Sequence, residues 1–109
     1  WQIPSGMINV GSSEIETAKH ELLEEAGLLA KEYVKIGSIL AEPGMSDQEE
    51  FIYLAKNLEK REQNLEISEV IEDVKHFTFL EIDRMVKNGE IKCGFTLSAL
   101  LLYKNNYLL

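Results

Sequence analysis

The chain has few basic residues: 11 Lys and Arg stand against 19 Asp and Glu, for a net charge of -8 over 109 residues. That deficit argues against nucleic acid or an anionic membrane surface as the main partner, since both attract positive protein surfaces. An acidic protein that acts on phosphates needs metal ions to bridge the like charges. There is a single cysteine, Cys93, so no internal disulfide forms, which points to a reducing, cytoplasmic setting. No apolar stretch approaches the ~18–20 residues of a membrane span; the run at 97–103 is too short. A signal-peptide pattern, internal repeats and low-complexity tracts are all missing. So is an initiator Met: the chain opens on Trp1 within an apparent strand, which suggests a piece of something longer.

What remains is a composition of 45% hydrophobic and 28% charged residues, typical of one folded domain spanning 1–109. Residues 1–5 read as the end of an extended segment, because Pro4 removes a backbone donor and biases Ile3 toward extended backbone. Gly6 and Gly11 bracket a loop of little side-chain bulk, where backbone can approach a ligand closely. A first helix is predicted over Glu14–Ala26. Ser13 is a good N-cap, Glu16 completes a capping box, and Gly27 sits where a left-handed C-cap belongs. Ile15, Ala18, Leu22 and Ala26 form its apolar stripe. Strands are expected at 33–40 and 50–57, separated by a loop with a Pro43-Gly44 turn. The polar stretch 58–69 reads either as a surface loop or as a catalytic loop carrying Glu66 and Glu69. A third extended segment is expected at 70–79, then helices at 80–88, ended by Gly89, and at 96–105, with Leu97, Leu100 and Leu101 on its apolar side. Strands mixed with helices predict an α/β sandwich, with helices on both faces of a mixed sheet.

The chain is organised around residues 6–28, GMINVGSSEIETAKHELLEEAGL. At about 100° per residue, Glu21, Glu24 and Glu25 fall within roughly a third of the helix circumference. Three such carboxylates repel one another, which raises their affinity for protons. A bound hard cation removes the repulsion by accepting oxygen ligands. The plain alternative is a solvated acidic helix face. The cluster is centred about 110° from the apolar stripe, at the border between core and solvent.

Residues Gly6, Glu21, Leu22, Glu24, Glu25, Gly27 and Leu28 resemble the Nudix box, the signature of Nudix hydrolases. The family pattern is Gly, five residues, Glu, seven residues, then Arg-Glu-aliphatic-any-Glu-Glu-any-Gly-aliphatic. Ser12 stands where the family has Glu, and His20 where it has Arg. In the family this arginine pairs with carboxylates and helps to orient the catalytic glutamates. Losing both charges together avoids leaving one buried and unpaired, and His20 still donates hydrogen bonds. Three further stretches resemble the ADP-ribose pyrophosphatase subfamily. The opening WQIPSG is similar to its Glu-any-Pro-Ala-Gly entry, with Gln2 in place of Glu. Pro43 stands about where its diagnostic proline lies, and FLEIDRMVKNGEIKCGFTLSALLLY is similar to its closing helix-loop-helix.

The resemblance implies a Nudix-type α/β/α sandwich, incomplete at the N-terminus because the chain starts just before the box. It implies a site holding Mg²⁺ or Mn²⁺ through Glu21 and Glu25, with Glu24 as ligand or catalytic partner and the Ser5 carbonyl coordinating. A loop glutamate assists as base or further ligand: Glu69 is the choice, with Glu66 and Glu72 as alternatives. His76 and Cys93 are read as packing or surface residues. The implied substrate is a nucleoside diphosphate-sugar, with ADP-ribose giving AMP and ribose 5-phosphate, and the implied assembly is a homodimer. Two other readings stand beside it. One is a Nudix-like domain that binds or senses a nucleotide without turnover, and the other is an acidic structural module without a metal site.

Overall fold

A computed structural model describes residues 1–8, 11–61 and 74–108. Helix α1 spans Glu14–Ala26, strand β1 Leu28–Leu40, strand β2 Glu49–Lys60, helix α2 Phe79–Lys87 and helix α3 Gly94–Tyr103, followed by one π-helical turn at Lys104–Leu108. β1 and β2 pair as an antiparallel two-stranded sheet. Helices with this sheet are compatible with part of the expected Nudix α/β fold. No helix among the described residues is long and apolar enough to cross a membrane.

The chain divides into two compact units. One comprises Trp1–Ile3, Lys35–Ile52 and His76–Leu109; the other comprises Pro4–Val34 and Tyr53–Lys75. The first unit contains α2, α3 and the loop end of the hairpin. Its buried hydrophobic residues are Ile52, Met85, Ile91 and Ala99. Burying an Ile or Met side chain stabilises by about 1.5–3 kcal/mol, so these positions anchor the unit. Thr96 is buried as well, and its hydroxyl accepts the Ile3 amide at 3.1 Å, which satisfies the group and fixes the opening segment on α3. Phe79 stacks on Tyr103 and Tyr103 on Tyr107, with centroids 5.1 and 5.2 Å apart. Lys104 pairs with Asp83 of α2.

Local signals set the ends of these elements. The Pro43-Gly44 turn forms as expected, with the Met45 and Ser46 amides both donating to the Glu42 carbonyl at 2.9 Å. The strands run longer than expected, because β1 starts directly after Gly27 with no intervening loop. α2 begins at a full capping box. The Thr78 hydroxyl accepts the Glu81 amide, and the Glu81 carboxylate accepts the Thr78 amide at 3.1 Å. This corrects the expected extended segment at 70–79. Residues 74–78 form no strand, Thr78 caps a helix and Phe79 opens it. Residues 70–73 lie outside the described residues. Residues 1–8 likewise form no regular strand.

α3 starts and ends two residues before the expected 96–105, and its inward face is also corrected. Thr96 and Ala99 are buried, whereas Leu101 is 60% exposed. Leu101 lies about 200° round the helix from Ala99, so it cannot share that face. Leu102 packs instead over Gly37 of β1, where an added Cβ would stand 3.0 Å from its Cδ1.

Candidate metal centre

Every described residue of the predicted site falls in the second unit. α1 is positioned at both ends by its own sequence. The Ser13 hydroxyl accepts the Glu16 amide at 3.2 Å, and Thr17 Oγ1 donates to the Ser13 carbonyl at 3.0 Å. Gly27 adopts φ 67°, ψ 32°, and its amide closes the last turn onto Leu22 and Leu23. A left-handed residue there costs glycine little and any other residue more. The Gly27 carbonyl then accepts the Arg61 amide at 2.6 Å, which ties the helix end to the chain leaving β2.

Two tyrosines hold the helix from the side. Tyr53 of β2 donates to Glu14 Oε2 at 2.9 Å, and Lys19 lies 5.4 Å from the centroid of the Tyr33 ring. Neither tyrosine carries a sequence signal that links it to the site. The Tyr53–Glu14 bond joins positions far apart in the chain, and no local spacing announces it.

The three glutamates are half-buried, as the border position predicts. The Ser5 amide donates to Glu25 Oε2 at 2.7 Å, so the residue expected to coordinate through its carbonyl also orients a predicted ligand. Gly6 lies against Glu21, and a Cβ at position 6 would collide with that carboxylate. Glu24 has 13% of its side chain exposed. Its Oε2 is buried and has no hydrogen-bond partner among the described residues. His20 Nε2 stands 3.7 Å from Glu24 Oε1, one helical turn away. His20 itself is 56% exposed, and Ser12 is exposed too. Neither departure from the family pattern is therefore buried, and the costly case of an unpaired interior charge does not arise at either position.

The donor types fit a hard divalent cation, which takes carboxylate and peptide oxygens. Two local features stand beside them: the glycine against Glu21, and the buried oxygen of Glu24 that has no hydrogen-bond partner among the described residues. Among the described residues no three His, Cys, Asp or Glu side chains are gathered closely enough to hold an ion as they stand. Glu66, Glu69 and Glu72 lie outside the described residues. Cys93 and His76 fall in the other unit. Cys93 is the residue before α3, where the Thr96 amide and hydroxyl hold its thiol below the usual range, short of a full capping bond.

Comparisons with known proteins bear on the same stretch. The family model described as NUDIX domain matches residues 1–93. An ADP-ribose pyrophosphatase of Bacillus subtilis (strain 168) is 31% identical over 91 residues, which is 83% of this chain and 49% of the relative. An ADP-ribose pyrophosphatase of Mycobacterium tuberculosis (strain ATCC 25618 / H37Rv) is 30% identical over 103 residues, 93% of this chain and 50% of the relative. The chain thus spans about half the length of the curated relatives it matches.

Proposed function

Because this chain belongs to the Nudix family, we propose that it takes part in metal-dependent hydrolysis of a nucleoside diphosphate linked to another moiety, with ADP-ribose giving AMP and ribose 5-phosphate. The observation that carries the reading is the fit of Gly6 against Glu21, which joins the two halves of the box in space. The named relatives support the substrate class. Mg²⁺ or Mn²⁺ as the ion, a homodimeric assembly and a cytoplasmic setting belong to the same reading.

In this reading Glu21 and Glu25 hold the cation, Glu24 serves as ligand and catalytic residue, and Glu69 is the assisting base. The Ser5 amide keeps Glu25 oriented through its 2.7 Å bond. Tyr53 holds the start of the helix through Glu14, and Gly27 turns the chain away after Glu25. When bound, the cation neutralises phosphate oxygens and activates water. The new bond joins the water oxygen to one phosphorus, the bridging P–O bond breaks, and the departing phosphate takes the bridging oxygen.

The test is a coupled assay. A phosphatase releases inorganic phosphate from AMP and ribose 5-phosphate but not from the intact diphosphate. With Mg²⁺ or Mn²⁺ present, Glu25→Gln is expected to lower phosphate release by more than about a hundredfold, since even an outer partner of a metal ligand is typically worth tenfold or more. Equal rates in the two proteins would remove the acidic helix from the reaction. Ser12 and His20 favour one second reading, a domain that binds the nucleotide without turning it over. Calorimetry showing ADP-ribose binding with no product over hours would select it.

A further inference from the structure

We propose that Asn88–Gly89, at the end of α2, is a site of spontaneous covalent modification, deamidation to aspartate and isoaspartate, paced by opening of that helix end. It belongs to the first unit, whereas α1 belongs to the second. Asn88 is the one asparagine of the chain followed by glycine; the others precede Val10, Leu58, Leu65, Asn106 and Tyr107. The attacking atom is the backbone nitrogen of the following residue, and glycine leaves it without a side chain beside it. Asn88 is exposed, and among the described residues a Cβ built on Gly89 would meet only Lys92 Cε, at 3.7 Å. Nothing bulky therefore stands over the bond that reacts.

In the reaction the Gly89 N–H gives its proton to base, and the nitrogen attacks Asn88 Cγ. The Cγ–Nδ2 bond breaks, Nδ2 takes up a proton and leaves as ammonia, and a succinimide ring closes. Water then adds to one of the two ring carbonyls. Opening at Cγ gives aspartate. Opening at the backbone carbonyl gives isoaspartate, with the chain running through Cβ and Cγ. The cap holds this back. At ψ −2° the Gly89 nitrogen eclipses the Asn88 nitrogen, whereas ring closure needs it to eclipse Cβ. Its N–H also donates to the Val86 carbonyl at 3.2 Å, at the long end of the hydrogen-bond range. That bond must break and ψ must turn before the ring forms. Both events lie in the last turn of a helix, where local opening costs least.

The products act on the turn in different ways. Beyond Gly89, the Glu90 and Ile91 amides donate back to the Met85 carbonyl at 2.9 and 3.4 Å. Met85 and Ile91 are buried hydrophobic residues of the unit. Aspartate adds a negative charge at the C-terminal end of α2, which the helix dipole disfavours and Arg84 and Lys87 in the last turn offset. Isoaspartate adds the charge and also lengthens the backbone between α2 and these bonds.

The experiment incubates the full chain in mildly alkaline buffer, folded and in urea, beside Asn88→Gln. Peptide mass mapping follows each asparagine, and isoaspartyl methyltransferase labelling follows isoaspartate. Asn88 is expected to convert before any other asparagine, more than about tenfold more slowly in the folded chain than in urea. Labelling is expected to disappear in Asn88→Gln. Conversion of other asparagines at the same rate, no conversion of Asn88 in the folded chain, or equal rates with and without urea would each overturn the proposal. The isoaspartate fraction, separated by chromatography, is expected to have a lower thermal midpoint than Asn88→Asp, which carries the charge on a backbone of normal length. Equal midpoints would overturn the effect assigned to the lengthened turn.

Discussion

The two units of this chain are held together in different ways. The unit with α2 and α3 encloses Ile52, Met85, Ile91 and Ala99, the buried hydrophobic residues among those described. In the unit with α1 every described side chain is half-buried or exposed, and only Gly27 counts as buried. That second unit relies on directional bonds: Ser13 at the helix start, Gly27 at its end, Tyr53 to Glu14, and the Ser5 amide to Glu25. Carboxylates in a dry core would take up protons and lose their charge. At a half-buried border they remain reachable, while caps and side-chain tethers fix the direction of the helix.

If the first unit depends on burial, Ile52→Ala has the largest effect on stability. It is expected to cost about 2–5 kcal/mol, read by urea or thermal unfolding. A loss under about 1 kcal/mol would mean that burial is not what anchors that unit. Gly6→Ala sharpens the contrast, because the added Cβ displaces the flexible Glu21 carboxylate rather than backbone. It is expected to weaken Mn²⁺ binding about tenfold in calorimetry with little change in stability. The reverse pattern would make Gly6 a structural glycine only.

Ser13→Ala removes the α1 cap and is expected to cost about 1 kcal/mol. A midpoint unchanged by that substitution would argue that the tyrosine tethers alone hold the helix. Asn57 occupies φ 58° inside β2. Glycine relieves that strain, so Asn57→Gly is expected to be neutral or stabilising by a few tenths of a kcal/mol, whereas Asn57→Val is expected to cost about 1–2 kcal/mol. The smallest effect concerns pH. The Thr78 amide, with the Thr78 hydroxyl, holds the Glu81 carboxyl below the ordinary range. A lowered folded value means that the bond stabilises fully above the ordinary glutamate pKa and is lost as pH falls through the lowered one. Protection of the amides at the start of α2, taken relative to their intrinsic exchange rates, is therefore expected to fall in acid, and Glu81→Gln is expected to flatten that dependence.

α1 was legible to the residue, because Ser13 and Gly27 are local signals at each end. The border position of Glu21, Glu24 and Glu25 was legible from helical spacing, a property of the segment itself, and the family from the pattern of the box residues. The helix expected at 80–88 forms as α2 over Phe79–Lys87, and Thr78-Phe79-Leu80-Glu81 carries the capping-box pattern that starts it. β1 began five positions early relative to the expected 33–40. Residues 28–32 carry no strand pattern of their own, and cross-strand pairing overrode their local preference. Hydrophobicity alone puts Leu101 on the apolar side of α3, whereas the helix phase set by Thr96 and Ala99 turns it outward.

By itself, the sequence determined the carboxylate helix, its caps, its glycine turn and the departures at Ser12 and His20, because each is encoded within a few residues by backbone geometry and short-range bonding. Only the tertiary structure decided which glutamate buries an oxygen with no hydrogen-bond partner among the described residues, that Gly6 lies against Glu21, that the Ser5 amide bonds Glu25, and that Tyr53 bonds Glu14. Those facts depend on side chains brought together from distant positions, and burial and contact between such positions exist only once the chain has folded.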